Sequence, residues 1–260
     1  NLLLQPRDYL SSFFLYFGLL VGGISALISA RPLDSIPAFT SFSAKLIGPA
    51  GALQPSPFWP TVPLIIACGA LSGFHSLVAS GTSAKQLKEE NDALFVGYGA
   101  MLVEGFLATL VIISIASFGA AALGDKLMAT PALGRFVNSF ALMVSTNLPF
   151  LPMSFMTLFT AVWVSTFALT TLDTTNRLGR YIVQEMAEPL KEKNPSTYKI
   201  LSNKWVASVV IAFLGIFLAW SGGYNTMWPA FSGANQLLAS VVMLTMAIWV
   251  KKKLNPKYVM

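Results

Sequence analysis

Residues 61–90 read TVPLIIACGALSGFHSLVASGTSAKQLKEE, a stretch that is apolar enough to enter a bilayer but is interrupted in its middle. Gly69, Gly73 and Gly81 weaken a helix here, and the only histidine of the chain, His75, lies about halfway along. Five hydroxyl side chains accompany them, at Ser72, Ser76, Ser80, Thr82 and Ser83. Non-helical backbone at membrane depth is tolerated only where it is buried in protein or lines a watery cavity. Because interrupted hydrophobic segments point to the binding site of a transporter, we expect this stretch to carry the site.

The composition of the 260-residue chain is that of a membrane protein, since 55% of its residues are hydrophobic and only 11% are charged. A soluble domain carries roughly 25% charged residues. The single cysteine, Cys68, excludes an internal disulfide and argues against a cysteine-based metal site, so we expect no cofactor. No HExxH, GxSxG or Walker A motif is present, which argues against an enzyme. We also expect no signal peptide, and the Asn at position 1 suggests part of a longer chain.

Six stretches reach the roughly 20 apolar residues that a helical span needs, which predicts an all-α integral membrane protein with one transmembrane domain over residues 1–260. The predicted spans cover residues 12–30, 61–83, 93–123, 150–172, 205–221 and 229–250. With both chain ends in the cytoplasm, 13 of the 17 Lys and Arg residues fall in cytoplasmic segments and 4 in outer segments. Since basic residues accumulate in cytoplasmic loops, this orientation is favoured, the net charge of +6 reflects it, and no nucleic-acid partner is expected.

The connections between the spans carry their own signals. Residues 31–60 contain six prolines and several aromatic residues, which suggests a segment that lies on the membrane or caps a vestibule. In residues 124–149, Thr130 and Pro131 are a plausible N-cap and first helical position for a short amphipathic helix over residues 132–140. Both segments are either outer gates or ordinary surface loops. The cytoplasmic connection, residues 174–204, begins with an amphipathic helix over residues 176–188 along the inner face.

Two ionisable side chains lie within the predicted spans, where such groups are costly and therefore functional candidates. His75 titrates near neutral pH if unperturbed, so it could relay a proton or bind an anion, or it could simply be tied into helix packing. Glu104 lies in the span over residues 93–123. It either takes up a proton or bonds the interrupted backbone of the stretch 61–90.

Uncharged polar groups supply the remaining candidates. The span over residues 150–172 ends in an oxygen-rich cluster of Ser and Thr residues together with Asp173. Its oxygens suit a small hard cation such as Na⁺, or the hydroxyls bond back to their own helix. In the last span, Asn235 and Gln236 are adjacent carboxamides that need partners inside a membrane, so we expect them to face protein.

Several motifs together resemble the carbon starvation protein A (CstA) family over essentially the whole chain. They are LQPRDYL at 4–10, GALSGFHSL at 69–77, SGT at 80–82, GYGAMLVEG at 97–105, TTLDT at 170–174, RLGRY at 177–181 and WPAFSGANQLLA at 228–239. The family members are longer and begin with further glycine-rich spans. The resemblance implies uptake of peptides or pyruvate under nutrient limitation, across the cytoplasmic membrane of a bacterium or archaeon.

The resemblance also implies the fold of the amino acid–polyamine–cation transporters, whose core is two inverted five-helix repeats. The span over 12–30 would then be the fifth core helix, the interrupted stretch the sixth, and the span over 150–172 the eighth. In sodium-coupled relatives of that fold, the eighth helix carries cation ligands, which by analogy are Ser165, Thr166 and Thr170 here. The partner implied for this second repeat is a missing N-terminal transmembrane half.

These inferences together predict a secondary transporter of the cytoplasmic membrane. The amides at the break would bind an anionic group of the substrate, because free N–H groups at a helix N-terminus favour negative charge. The expected substrate-binding residues are Ser72, Gly73, Phe74, His75, Ser76, Asn235 and Gln236. Coupling would be to H⁺ through His75 or Glu104, or to Na⁺ in the hydroxyl cluster. The alternative is a non-transporting receptor or scaffold for a sensor kinase, and a channel is a third, less supported, class.

Overall fold

The computed structural model describes residues 4–29, 43–47, 53–57, 59, 63, 66–67, 69–124, 126 and 130–253. The helices in this part of the chain are α1 (Leu4–Ser29), α2 (Gly73–Gly81), α3 (Asp92–Leu123), α4 (Ala132–Asn147), α5 (Met153–Ala187), α6 (Leu190–Lys193), α7 (Pro195–Leu201), α8 (Lys204–Ser221) and α9 (Gly223–Lys253). A 3-10 turn, Ser83–Lys85, follows α2 closely. Helix α3 contains two π-helical segments, Phe95–Gly99 and Ile115–Gly119.

Five of the described helices are long and apolar enough to cross a membrane. The qualifying segments are Pro6–Ser29, Asp92–Leu123, Met153–Ala187, Lys204–Ser221 and Ala230–Lys253. This result confirms the predicted all-α integral membrane class. In the sixth predicted span, over residues 61–83, α2 has only nine residues and extends about 13 Å at 1.5 Å per residue. Residues 66–67 and 69–70, before the start of α2, are also helical. Helix α2 is therefore too short to cross a hydrocarbon core of about 30 Å without help.

The proline-rich outer segment contains a short β-hairpin. Strand β1 (Ser43–Ile47) pairs antiparallel with β2 (Leu53–Pro57), with Ser43 opposite Pro57 and Ile47 opposite Leu53. A two-stranded sheet consists of edge strands only, and there a proline that cannot donate a hydrogen bond is tolerated. Most other residues of the predicted outer segment 31–60 lie outside the described residues, so its role as a gate stays a prediction.

The second outer segment is a buried helix rather than a surface loop. Helix α4 extends to Asn147, seven residues beyond the predicted end, and Phe140 and Val144 on it are fully buried. The predicted capping is wrong by one residue. Pro131 itself is the N-cap, with an extended backbone (ψ 145°), and its carbonyl accepts the first helical hydrogen bond from Arg135 N at 2.9 Å. The hydroxyl of Thr130 instead donates to the Lys126 carbonyl.

Helix α5 contains nearly all of the predicted span over residues 150–172 and nearly all of the helix predicted over residues 176–188. The helix runs without interruption from Met153 to Ala187. Its extension packs against α8, because a Cβ atom added to Gly179 would lie 2.9 Å from the side chain of Ile211. The helix ends just before Pro189, which cannot continue it.

The chain divides into two compact units, which are Asn1–Thr40 with Lys88–Asp173 and Ser41–Leu87 with Thr174–Met260. The first unit has a core of large apolar side chains from α1, α3, α4 and α5. Its members are Val21, Phe118, Phe140, Ala141, Met143, Val144, Met156, Phe159 and Trp163. On α1, Gly18 and Gly22 make room for this core, because a Cβ atom at either position would lie 2.6 Å from a ring atom of Trp163 or Phe140, respectively. The second unit contains α2 and α9 and, with them, the interrupted stretch.

Candidate functional site

The stretch that was predicted to be interrupted is interrupted at Leu71 and Ser72. The amide of Leu71 still donates to the Ala67 carbonyl at 2.7 Å, as in a helix. Ser72 then adopts an extended conformation (φ −100°, ψ 123°), and α2 begins with the hydrogen bond from Ser76 N to the Ser72 carbonyl at 3.3 Å. The helical backbone is thus interrupted at a residue with a hydroxyl side chain, immediately before α2.

Two acceptors cover the first amides of α2. The first is Ser72 as N-cap, whose hydroxyl oxygen accepts from His75 N at 3.4 Å. The second comes from α9, where Oδ1 of Asn235 accepts from Phe74 N at 2.6 Å and from the Ser72 hydroxyl at 3.3 Å. The structure therefore brings together Ser72, Gly73, Phe74 and Asn235, four of the predicted substrate-binding residues, and their role in binding stays a prediction.

The backbones of α2 and α9 approach each other closely at Gly73. A Cβ atom at this position would lie 2.3 Å from the Asn235 carbonyl oxygen and 2.8 Å from Ala239 N. Both of these are main-chain atoms, which cannot rotate away as a side chain can. Gly73 is therefore required by space, and not only as a residue that weakens a helix.

The end of α2 is closed by a threonine. Thr82 is buried, and both its amide and its hydroxyl donate to the Val78 carbonyl, at 2.9 and 2.7 Å. Gly81 lies against α5, because an added Cβ atom would be 2.9 Å from Cδ2 of Leu178. Helix α2 is thus held between α9 at its start and α5 at its end.

The side chain of His75 projects from the first turn of α2 and is exposed. Its ring lies edge-on to that of Phe74, with 6.0 Å between the ring centres. Ser76, on the next position, is half-buried and turns its hydroxyl back to the Gly73 carbonyl at 2.5 Å. An exposed imidazole directly after a helix start is free to reach a solute or a proton donor.

Two buried polar atoms of α9 flank Asn235. Gln236 Nε2 and Ser232 Oγ, one helical turn apart, have no hydrogen-bond partner among the described residues. Asn235 itself is 4% exposed and well bonded. Both carboxamides were expected to face protein, and Asn235 bonds α2. The Nε2 group of Gln236 is a buried donor without an acceptor among the described residues, which lowers stability unless a ligand supplies an acceptor.

The other predicted site residues belong to the first unit. Glu104 is exposed on α3. Ser165 donates to Ala161 O at 2.8 Å, Thr166 to Val162 O and Trp163 O at 3.0 and 2.9 Å, and Thr170 to Phe167 O at 2.7 Å. These three hydroxyls bond back to their own helix, which is the structural alternative for the cluster. A role in cation binding stays a prediction.

An ion pair between α1 and α5 was not predicted. Arg7 Nη2 pairs with Asp173 Oδ2, and the same guanidinium also bonds Asp8, its neighbour in sequence. The side chains of Arg7 and Asp173 are 24% and 35% exposed. Arg7 lies in the motif at 4–10, and Asp173 lies in the oxygen-rich cluster. Only their position at the ends of two apolar stretches could have suggested that they meet.

Comparison with known proteins identifies the family. The family model described as "Carbon starvation protein CstA" matches residues 1–148 and 120–260. Among curated proteins, the "Peptide transporter CstA" of Bacillus subtilis (strain 168) is 31% identical over 96% of this chain and 46% of its own length. The "Pyruvate/proton symporter BtsT" of Escherichia coli (strain K12) is 26% identical over 99% of this chain and 45% of its own length.

The chain spans less than half the length of these curated relatives. No solved structure matches it. The two family-model matches together run from the first residue to the last, and they include both α2 and the contacting part of α9. The chain therefore belongs to the carbon starvation protein CstA family.

Proposed function

We propose that this chain is the later part of a secondary active transporter that imports peptides or a small carboxylate such as pyruvate across the cytoplasmic membrane. The observation that carries the proposal is the interruption at Leu71 and Ser72 within an otherwise apolar stretch. It is supported by relatives, one named for peptide transport and one for symport of pyruvate and protons. Both kinds of solute carry a carboxylate, so one anion-binding feature could serve either.

The start of α2 offers that feature. A helix N-terminus carries a partial positive charge, which favours an anion near it. The amides of Phe74 and His75 already donate to Asn235 Oδ1 and Ser72 Oγ, so this charge and the nearby side chains, rather than those two amides, would attract the anion. His75 lies in this first turn, and the unpartnered donors of Gln236 and Ser232 lie one turn apart on the contacting helix α9. We therefore assign the substrate site to Ser72, Gly73, Phe74, His75, Ser76, Asn235 and Gln236.

Two modes of coupling are compatible with this site. In the first, His75 or Glu104 takes up a proton, and the name of the relative BtsT favours this mode. In the second, Ser165, Thr166 and Thr170 bind Na⁺. Their hydroxyls donate to helix carbonyls, but each hydroxyl oxygen keeps lone pairs that a cation could use.

A receptor or scaffold for a sensor kinase is the weaker alternative. It draws support from the amphipathic helix predicted over residues 176–188, which would suit docking of a partner. In the structure these residues form the end of α5, up to Ala187. A transporter accounts better for the break, for the exposed histidine and for the names of the relatives.

Uptake into proteoliposomes tests the proposal. The full-length protein that contains this chain is reconstituted, and accumulation of radiolabelled pyruvate and of dialanine is measured under an imposed H⁺ or Na⁺ gradient. We expect accumulation of one of these solutes that stops when the gradient is collapsed. We also expect His75→Ala to reduce coupled uptake at least tenfold, because it removes the exposed imidazole from the first turn of α2.

The matched control is Ser80→Ala, which removes an exposed hydroxyl from the same helix and should leave uptake within twofold of the unmodified protein. The variant Glu104→Gln is measured in parallel. Near-normal coupled uptake by both His75→Ala and Glu104→Gln would remove both residues from the coupling mechanism. Failure of the folded protein to accumulate either solute under either gradient would contradict the proposed function.

A further inference from the structure

A side chain of α9, a helix far from α2 in the sequence, accepts hydrogen bonds from the start of α2. Oδ1 of Asn235 accepts from Phe74 N at 2.6 Å, a hydrogen bond between residues 161 positions apart in the chain. The same oxygen accepts from the Ser72 hydroxyl at 3.3 Å. Asn235 is only 4% exposed, so water does not compete freely for either bond.

Helix caps are usually local. The first amides of a helix have no acceptor within the helix, and a side chain just before it normally supplies one. Ser72 does so here for His75 N. The amide of Phe74 depends instead on a side chain of α9, so the place where α2 begins depends on where α9 lies.

Main-chain contact reinforces this dependence. The α-carbon of Gly73 approaches the Asn235 carbonyl so closely that an added Cβ atom would lie 2.3 Å from the carbonyl oxygen. Leu238 and Ala239, on the next turn of α9, complete the contact at 2.7 and 2.8 Å from the same Cβ position. With a hydrogen bond on one side and main chain on the other, α2 cannot shift without breaking the bond or moving α9.

We propose that Asn235 is a positioning residue, which fixes the break at Leu71 and Ser72 by capping α2 from α9. It acts through the amide of Phe74, a role separate from any contact that its side chain makes with the solute. This inference deepens the proposed function, because it assigns one residue of that site to holding the helix start. It does not depend on which solute is carried, since the contact exists without any solute.

Thiol labelling at the break tests the inference without transport. In the full-length protein, Leu71→Cys is introduced together with Cys68→Ser, and the rate of reaction with N-ethylmaleimide is measured in membranes without solute. Adding Asn235→Leu removes the acceptor at similar volume and is expected to raise the labelling rate at least fivefold, because α2 loses its cap. Asn235→Asp keeps the acceptor and should stay within twofold of the parent.

The outcomes separate this inference from the proposed function. An unchanged labelling rate in Asn235→Leu would overturn the positioning role, whatever the uptake assay shows. A rate raised equally in Asn235→Asp would overturn it too, because the acceptor is then irrelevant. If Asn235→Leu does not accumulate in membranes, Asn235→Ser, whose hydroxyl is too short to reach Phe74 N, replaces it with the same expectation.

Uptake by Asn235→Asp provides the second readout. Its extra negative charge lies at the helix start proposed to attract a carboxylate, so KM for pyruvate should rise at least tenfold while the labelling rate stays at the parent value. An unchanged KM with unchanged labelling would contradict the anion site but leave the positioning role intact. If Asn235→Asp raised KM and the labelling rate by the same factor, the positioning role would be contradicted.

Discussion

At the scale of single residues, glycine has two distinct uses in the stretch that carries the site. Among the described residues, no atom lies within 4 Å of a Cβ atom placed at Gly69, so there this glycine acts by lowering helix stability. Gly73, four residues later, touches the main chain of α9. In the sequence they are two glycines four residues apart with nothing to distinguish them. Only the contact of Gly73 with Asn235 shows that their roles differ.

Gly73→Ala should therefore destabilise the protein, whereas Gly69→Ala should not. The added methyl group at position 73 meets main-chain atoms, and overpacking of this kind costs roughly 1–3 kcal/mol. We expect purified full-length Gly73→Ala in detergent to have a lower melting temperature. The melting temperature is measured by size-exclusion chromatography of samples heated to different temperatures. The control Gly69→Ala should melt at or slightly above the temperature of the unmodified protein, since alanine favours a helix. Equal melting temperatures for the two variants would contradict the close approach.

At the scale of elements, α5 shows that an apolar span and a helix can end at different residues. Hydropathy falls after Leu172, and for this reason the sequence predicts the end of the span there. The structure continues the helix through residues 173–175 to Ala187, and Gly179 in this extension packs against Ile211 of α8. A local drop in hydropathy marks the end of the apolar stretch, but not the end of the helix.

A proline within this extension tests its helical state. Thr175→Pro should destabilise the protein by about 3 kcal/mol, because proline in a helix interior removes one hydrogen bond and clashes with the preceding turn. We expect detergent extracts of cells that express Thr175→Pro to contain less monodisperse full-length protein. Thr175→Ala controls for loss of the hydroxyl and should extract like the unmodified protein. If residue 175 lay in an irregular connection, proline would be tolerated as well as alanine.

At the scale of the whole molecule, the distribution of basic residues predicts how the chain crosses the membrane. Leu133, at the start of α4, lies on the predicted outer side, and Lys193, in α6, on the predicted cytoplasmic side. Both side chains are exposed. In full-length protein carrying Cys68→Ser, Leu133→Cys should react with a membrane-impermeant maleimide in intact cells. Lys193→Cys should react only after the cells are opened, and the reverse pattern would contradict the orientation.

Much of the candidate site could be predicted, but its internal organisation could not. The break near Ser72, its glycines and hydroxyls, and the need of Asn235 for a protein partner all follow from local composition. That this partner is Phe74 N does not, because the two residues are 161 positions apart. The same holds for the ion pair of Arg7 with Asp173, which joins the ends of α1 and α5.

The sequence by itself determined the membrane class, most of the long apolar helices and the existence of the interruption. Hydropathy and glycine content act over one or two helical turns, so their effects can be estimated from neighbouring residues in the sequence. Only the tertiary structure decided that α4 buries Phe140 and Val144, that Gly179 of α5 packs against Ile211 of α8 and that α2 starts under a cap from α9. Packing and hydrogen bonding join residues far apart in the chain, and no local pattern states which of them will meet.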